Sequence, residues 1–94
     1  MLTVLAACAT APPVQEMSDA RQAIAAAREA GAGELAPGGL AEAEALLTGA
    51  EGYLEVGTSA AYWQAKKAAI SAKEIALSAL LKSRSTQEAP GRNR

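Results

Sequence analysis

Apolar residues recur every three or four positions along most of this chain, and glycine and proline cut that pattern into three blocks. The first block, 14–30, places Met17, Ala20, Ile24 and Ala27 on one helical face, with Pro13 ahead of it and Gly31 as its stop. The second, from Pro37 or Gly38 to position 56, aligns Leu40, Ala43, Leu47, Ala50 and Leu54, and Gly57 ends it. Gly49 and Gly52 lie inside this block and each costs a helix roughly 1 kcal/mol relative to alanine, so it depends on packing rather than propensity. The third and longest block runs over 58–83, with the hydroxyl of Thr58 or Ser59 available as N-cap. Tyr62, Ala65, Ala69, Ala72, Ala76 and Ala79 form one stripe, and Trp63, Ile70, Leu77 and Leu81 a second beside it, so this helix can touch two neighbours at once. The pattern predicts an all-α fold. Helices two and three form an antiparallel hairpin, and helix one folds back on it to give a small three-helix up-down-up bundle over 16–84. Residues 31–33 read as a loop and Glu34-Leu35-Ala36-Pro37 as the lead into the second helix, 9–15 as a flexible tether and 85–94 as a disordered tail.

Charge placement adds a reason for the hairpin. The second block carries Glu42, Glu44, Glu51 and Glu55 without a base, and the third carries Lys66, Lys67, Lys73, Lys82 and Arg84 against Glu74. Exposed ion pairs are worth only about 0–1 kcal/mol each, so these charges would choose partner and register more than stabilise. The alternative is that they are solvated faces segregated by chance.

Composition narrows the chemistry. Alanine fills 25 of 94 positions, there are three aromatic residues, and histidine is absent, which removes both the commonest general base and the commonest metal ligand. A net charge of −1 argues against a nucleic-acid partner, which would want a basic patch with interleaved aromatics. One cysteine forms neither an intramolecular disulfide nor a thiolate metal site. Glu42 and Glu44, two residues apart on a helix, point about 200° apart and do not converge on a substrate. The expectation is a non-enzyme with no cofactor, no metal and no small-molecule substrate.

The single cysteine is the most specific feature. Leu5-Ala6-Ala7-Cys8 reads as a lipobox, the processing site of a bacterial lipoprotein signal peptide, which makes Cys8 the lipidated first residue of the mature protein. Residues 1–8 are then a truncated signal peptide. Such signals carry a basic n-region and about 7–15 apolar residues, and neither a basic residue nor that length precedes Cys8. The missing part is expected upstream of Met1. Thr10 and Pro12-Pro13 suit a tether. Ala9 is not the aspartate that retains lipoproteins at the inner membrane, so the expected location is the outer membrane, periplasmic face. The longest apolar stretch, 1–14, falls short of the about 20 residues that span a bilayer, so membrane attachment rests on the lipid of Cys8. The alternative is a cytosolic protein with an ordinary cysteine.

Met17-Ser18-Asp19-Ala20-Arg21-Gln22-Ala23-Ile24, Leu35-Ala36-Pro37 and Leu40-Ala41-Glu42-Ala43-Glu44-Ala45-Leu46-Leu47 resemble a family of short, alanine- and glutamate-rich helical domains in Gram-negative envelope lipoproteins. Members stand alone or precede an OmpA-like peptidoglycan-binding domain, and no biochemical activity is established for them. The resemblance covers roughly 8–83. It implies an envelope module but not peptidoglycan binding, because no OmpA-like sequence follows helix three here. Tyr53, Tyr62 and Trp63 flank the Gly57 turn, as a ligand-binding cluster or as packing that closes the hairpin. Lys82, Arg84, Arg92 and Arg94 would touch anionic lipid or cell wall, or simply belong to a disordered end. Large apolar side chains are few, which favours an interaction protein whose free face is covered by another copy or an envelope protein. The competing expectation is a soluble helical adaptor for a peptide or hydrophobic ligand.

Overall fold

The computed structural model describes residues 11–92; Leu5, Ala6, Ala7 and Cys8 lie outside the described residues. Helix α1, Val14–Glu29, runs parallel to α4, Ser59–Arg92; between them come the single turn α2, Ala32–Leu35, and the antiparallel α3, Pro37–Val56. The three long helices form the up-down-up bundle that the apolar spacing predicts.

Local chemistry sets most of the boundaries. Gly31 and Gly57 adopt left-handed backbone, φ 90° and 79°, where a side chain would be strained, and they end α1 and α3. Pro37 opens α3 at its first turn, behind an Ala36 whose backbone, φ −148° and ψ 55°, is outside the helical region. The choice between the two hydroxyls ahead of α4 falls on Thr58, whose Oγ1 accepts from the Ala61 N–H at 3.0 Å.

Three expectations need correction. The loop expected at 31–33 and the lead-in after it form a helical turn, because after Gly31 the N–H groups of Glu34 and Leu35 both donate to its carbonyl, while Ala32 and Ala36 are buried. The tether expected over 9–15 is already bundle by its end: Pro13 is buried and α1 starts at Val14. The last helix does not stop near Ser83, and positions 85–92 continue it. No breaker stands between Ser83 and Pro90. Ser83 is fully buried with its hydroxyl donating to the Ala79 carbonyl at 2.8 Å, and the Gln87 side-chain amide donates to the Ala30 carbonyl at 3.1 Å. The extra turns therefore cap the end of α1, whose last carbonyls lack helical partners.

The core is built of alanine. Ala65, Ala69, Ala72 and Ala76 of α4 have no exposed surface, and they face Met17, Ala20, Ile24 and Ala27 of α1 and Leu40, Ala43 and Ala50 of α3. Short side chains let the helices approach closely. At Gly39 an added Cβ would stand 3.3 Å from the Cβ of Ala79. Gly49 and Gly52 face open space instead, with nothing within 4 Å of an added Cβ. Gly49→Ala and Gly52→Ala should together stabilise the fold by about 1–2 kcal/mol through helix propensity alone. Gly39→Ala should gain little or nothing. Chemical denaturation of the three variants checks the contrast, and a gain at Gly39 matching those at the other two would contradict the close approach to Ala79.

Candidate interaction surface

The long helix α4 carries its two apolar stripes on different sides. The alanine stripe, joined by the buried Leu80, meets both neighbours, whereas the second lies toward solvent: Trp63 is 57 %, Ile70 39 %, Leu77 37 % and Leu81 63 % exposed. At 100° per residue these four lie within about 40° of one another and face away from Ala65, Ala69 and Ala72. At 1.5 Å per residue the stripe extends for about 27 Å. The expectation that α4 touches two neighbours holds, but one stripe suffices because alanine admits both helices to the same side. Grooves open beside the free stripe toward α1, where Ile70, Lys73 and Glu74 face Glu16 and Asp19, and Leu77 lies against Gln22 and Ala26.

The aromatic residues do not close the hairpin as one cluster. Tyr62 is half-buried and, with Trp63 and Lys66, lines a cleft of about 370 Å³ whose other wall is Ala11, Pro12 and Pro13. The Lys66 ammonium sits 5.6 Å from the centre of the Trp63 ring, a cation–π distance. Tyr53, 42 % exposed, lines a separate groove with Gln64 and Lys67. The four exposed apolar residues Val14, Tyr53, Val56 and Trp63 thus surround this end of the bundle on all three long helices.

The charges pair differently from expectation. Among the described residues no ion pair joins α3 to the basic α4; both bridges run between α1 and α3. Arg21 reaches Glu51 at 3.2 Å, and Arg28 reaches Glu44 through Nε at 3.0 Å and Nη2 at 2.5 Å. Because α4 presents alanine to α3, its lysines project outward, while Glu44 and Glu51 flank the α1 side. The signal was present in the sequence, since Arg21 and Arg28 are seven apart, as are Glu44 and Glu51. With both partners substantially exposed, these bridges set the register of α1 on α3 and add about 0–1 kcal/mol each.

Glu42 and Glu44 do not meet at a common site: Glu42 is exposed beside Lys82 and Ala79, and Glu44 is held by Arg28. Among the described residues no three potential metal ligands gather, and no helix is long and apolar enough to cross a membrane. The residues that combine are those of an apolar surface, with cations and carboxylates at its edges. Compared with models of known protein families, with characterised proteins and with solved structures, the chain matches none.

Proposed function

We propose that this chain is a non-enzymatic helical module of the Gram-negative envelope, anchored through lipid on Cys8 to the periplasmic face of the outer membrane, where it serves as a spacer or assembly surface. The observation that carries the assembly role is the stripe of Trp63, Ile70, Leu77 and Leu81, which lies away from the alanine core, belongs to neither buried cluster and keeps each residue more than a third exposed. Single exposed apolar residues are ordinary, but four aligned along one face of a long helix fit a partner helix of the same spacing. A second copy of the chain meets that requirement, as does a helical envelope protein. The anchor is supported by Leu5-Ala6-Ala7-Cys8 and by the resemblance to envelope lipoprotein domains. Of the competing reading, a soluble adaptor, the open groove between α1 and α4 is the favourable feature, since Ile70 and Leu77 could there receive an apolar peptide.

Expression of the gene with its upstream region in a Gram-negative host tests the proposal. The expected N-terminal peptide begins at an acylated Cys8, and the melting temperature of the purified protein rises with its concentration, as association demands. An unmodified Met1 would remove the anchor and favour the adaptor. A monomer whose melting temperature is constant over a wide concentration range would remove self-assembly and leave an envelope protein as the partner.

A further inference from the structure

The proposed anchor constrains which end of the bundle lies near lipid. Three residues of chain lead from Cys8 to Ala11, and an extended chain spans at most about 3.3–3.6 Å per residue, so Ala11 is within about 11 Å of the acylated cysteine. Ala11, Pro12 and Pro13 line the cleft beside Ser59, Tyr62 and Trp63, and Pro13 is buried there. Little slack remains between anchor and fold. The end of the bundle that holds the start of α1, the Gly57 turn and the start of α4 is the end brought to the bilayer.

That same end concentrates the exposed apolar surface. Among the described residues four of the seven large exposed apolar side chains are here, Val14 at 70 %, Val56 at 63 %, Trp63 at 57 % and Tyr53 at 42 % exposed, whereas Ile70, Leu77 and Leu81 are spread along α4 toward the opposite end. Tyrosine and tryptophan, with an apolar body and a polar edge, suit the boundary between headgroups and acyl chains. The nearby charges, Glu16 and Glu55 against Lys66 and Lys67, balance, so attraction to anionic lipid is not the driving term.

We propose that this end is a membrane-seating surface: Val14, Tyr53, Val56 and Trp63 enter the headgroup layer beside the lipid of Cys8, and α4 stands away from the bilayer. The proposal rests on the anchor reading given above. It also gives the short tether a purpose, because a long linker would leave these side chains in water. Ile70, Leu77 and Leu81 are then held progressively farther from the membrane, where a periplasmic partner can reach them.

Trp63 is the sole tryptophan and Cys8 the sole cysteine, so the native chain carries its own probe and its own coupling site. The 94-residue chain is coupled through Cys8 to maleimide-bearing lipid in vesicles of phosphatidylethanolamine and phosphatidylglycerol, with and without brominated acyl chains. Side chains seated in the interface lie about 5–10 Å deep, so Trp63 emission should shift to the blue and fall about twofold with bromolipid, unchanged by raised salt. Tyr53→Gln with Val56→Gln should return the emission toward that in solution while helicity is retained. A Cys8→Ala, Ser85→Cys chain, coupled at the opposite end, should show no quenching. Emission of the Cys8-coupled chain equal to that in solution, or equal quenching from both coupling sites, would overturn the seating. The N-terminal mass of the protein from its own gene is read separately, and an unmodified terminus would overturn the anchor whatever the vesicles show.

Discussion

Replacing Ala72 with leucine should lower the melting temperature by about 10–20 °C, the equivalent of about 2–3 kcal/mol in a domain of this size. Ala72 has no exposed surface and sits in the middle of the seam that joins α4 to α1 and α3, in one cluster with Met17, Ala20, Ala50, Ala65 and Ala69. A seam of methyl groups has no spare volume for a branched side chain. Moving either neighbour outward would also weaken the contacts at Ala69 and Ala76, because a rigid helix carries them together. Overpacking ordinarily costs about 1–3 kcal/mol, and the upper part of that range applies where two helices must yield at once. Thermal unfolding followed by circular dichroism reads the change. A leucine variant that melts with the native protein would show that the helices are not in close contact at this level.

Ile24→Ala should destabilise by a similar or larger amount, about 3–5 kcal/mol, for the opposite reason. Ile24 is among the largest fully buried side chains, and its cluster consists mainly of Ala23, Ala27, Ala32, Ala36, Ala43, Ala76 and Ala79, with Leu40 and Leu80. Truncation leaves a cavity whose cost depends on how far the surroundings relax into it. Alanine has no rotatable side chain with which to fill the space. In a 94-residue chain whose total stability is expected at about 0.05–0.15 kcal/mol per residue, such a loss is between about a quarter and the whole. Urea unfolding at low temperature measures it. A loss under 1 kcal/mol would mean that α1 shifts as a unit to close the gap, and that its packing is looser than the burial of Met17 and Ile24 implies.

The two substitutions expose the same property from either side. An alanine core gains little from each buried residue, and it stabilises by allowing three helices to share one narrow seam. That arrangement leaves the rest of α4 available. Ile70 and Leu77 remain half-exposed at the lip of the α1 groove, in line with Trp63 and Leu81. The proposed assembly face is thus a consequence of how the core is made. The proposed seating surface follows likewise from the place where the tether meets the bundle.

The three long helices, their order and most of their inward faces were legible in the sequence, whereas the turn Ala32–Leu35 was not. Met17, Ala20, Ile24, Ala27, Leu40, Ala43, Ala50, Ala65, Ala69, Ala72, Ala76 and Ala79 are buried where their spacing puts them, and Gly31, Pro37 and Gly57 punctuate the fold, because each acts through its own backbone geometry. The lipobox reading of Leu5, Ala6, Ala7 and Cys8 also belongs to the sequence alone, since those residues lie outside the described structure. Other features depend on what lies across the bundle. Positions 85–92 have a composition compatible with helix or coil, and the helical state includes a Gln87 bond to Ala30, 57 residues earlier in the chain. The seven-residue spacing that Arg21 and Arg28 share with Glu44 and Glu51 was visible, but the basic α4 offered these carboxylates competing partners, and a charge pattern gives sign and spacing without saying which helix stands opposite. Of the two apolar stripes on α4, hydrophobicity would have buried the one with tryptophan, isoleucine and leucine. Packing buried the alanine stripe instead, because close approach to two helices at once requires small side chains, and only the assembled bundle imposes that requirement.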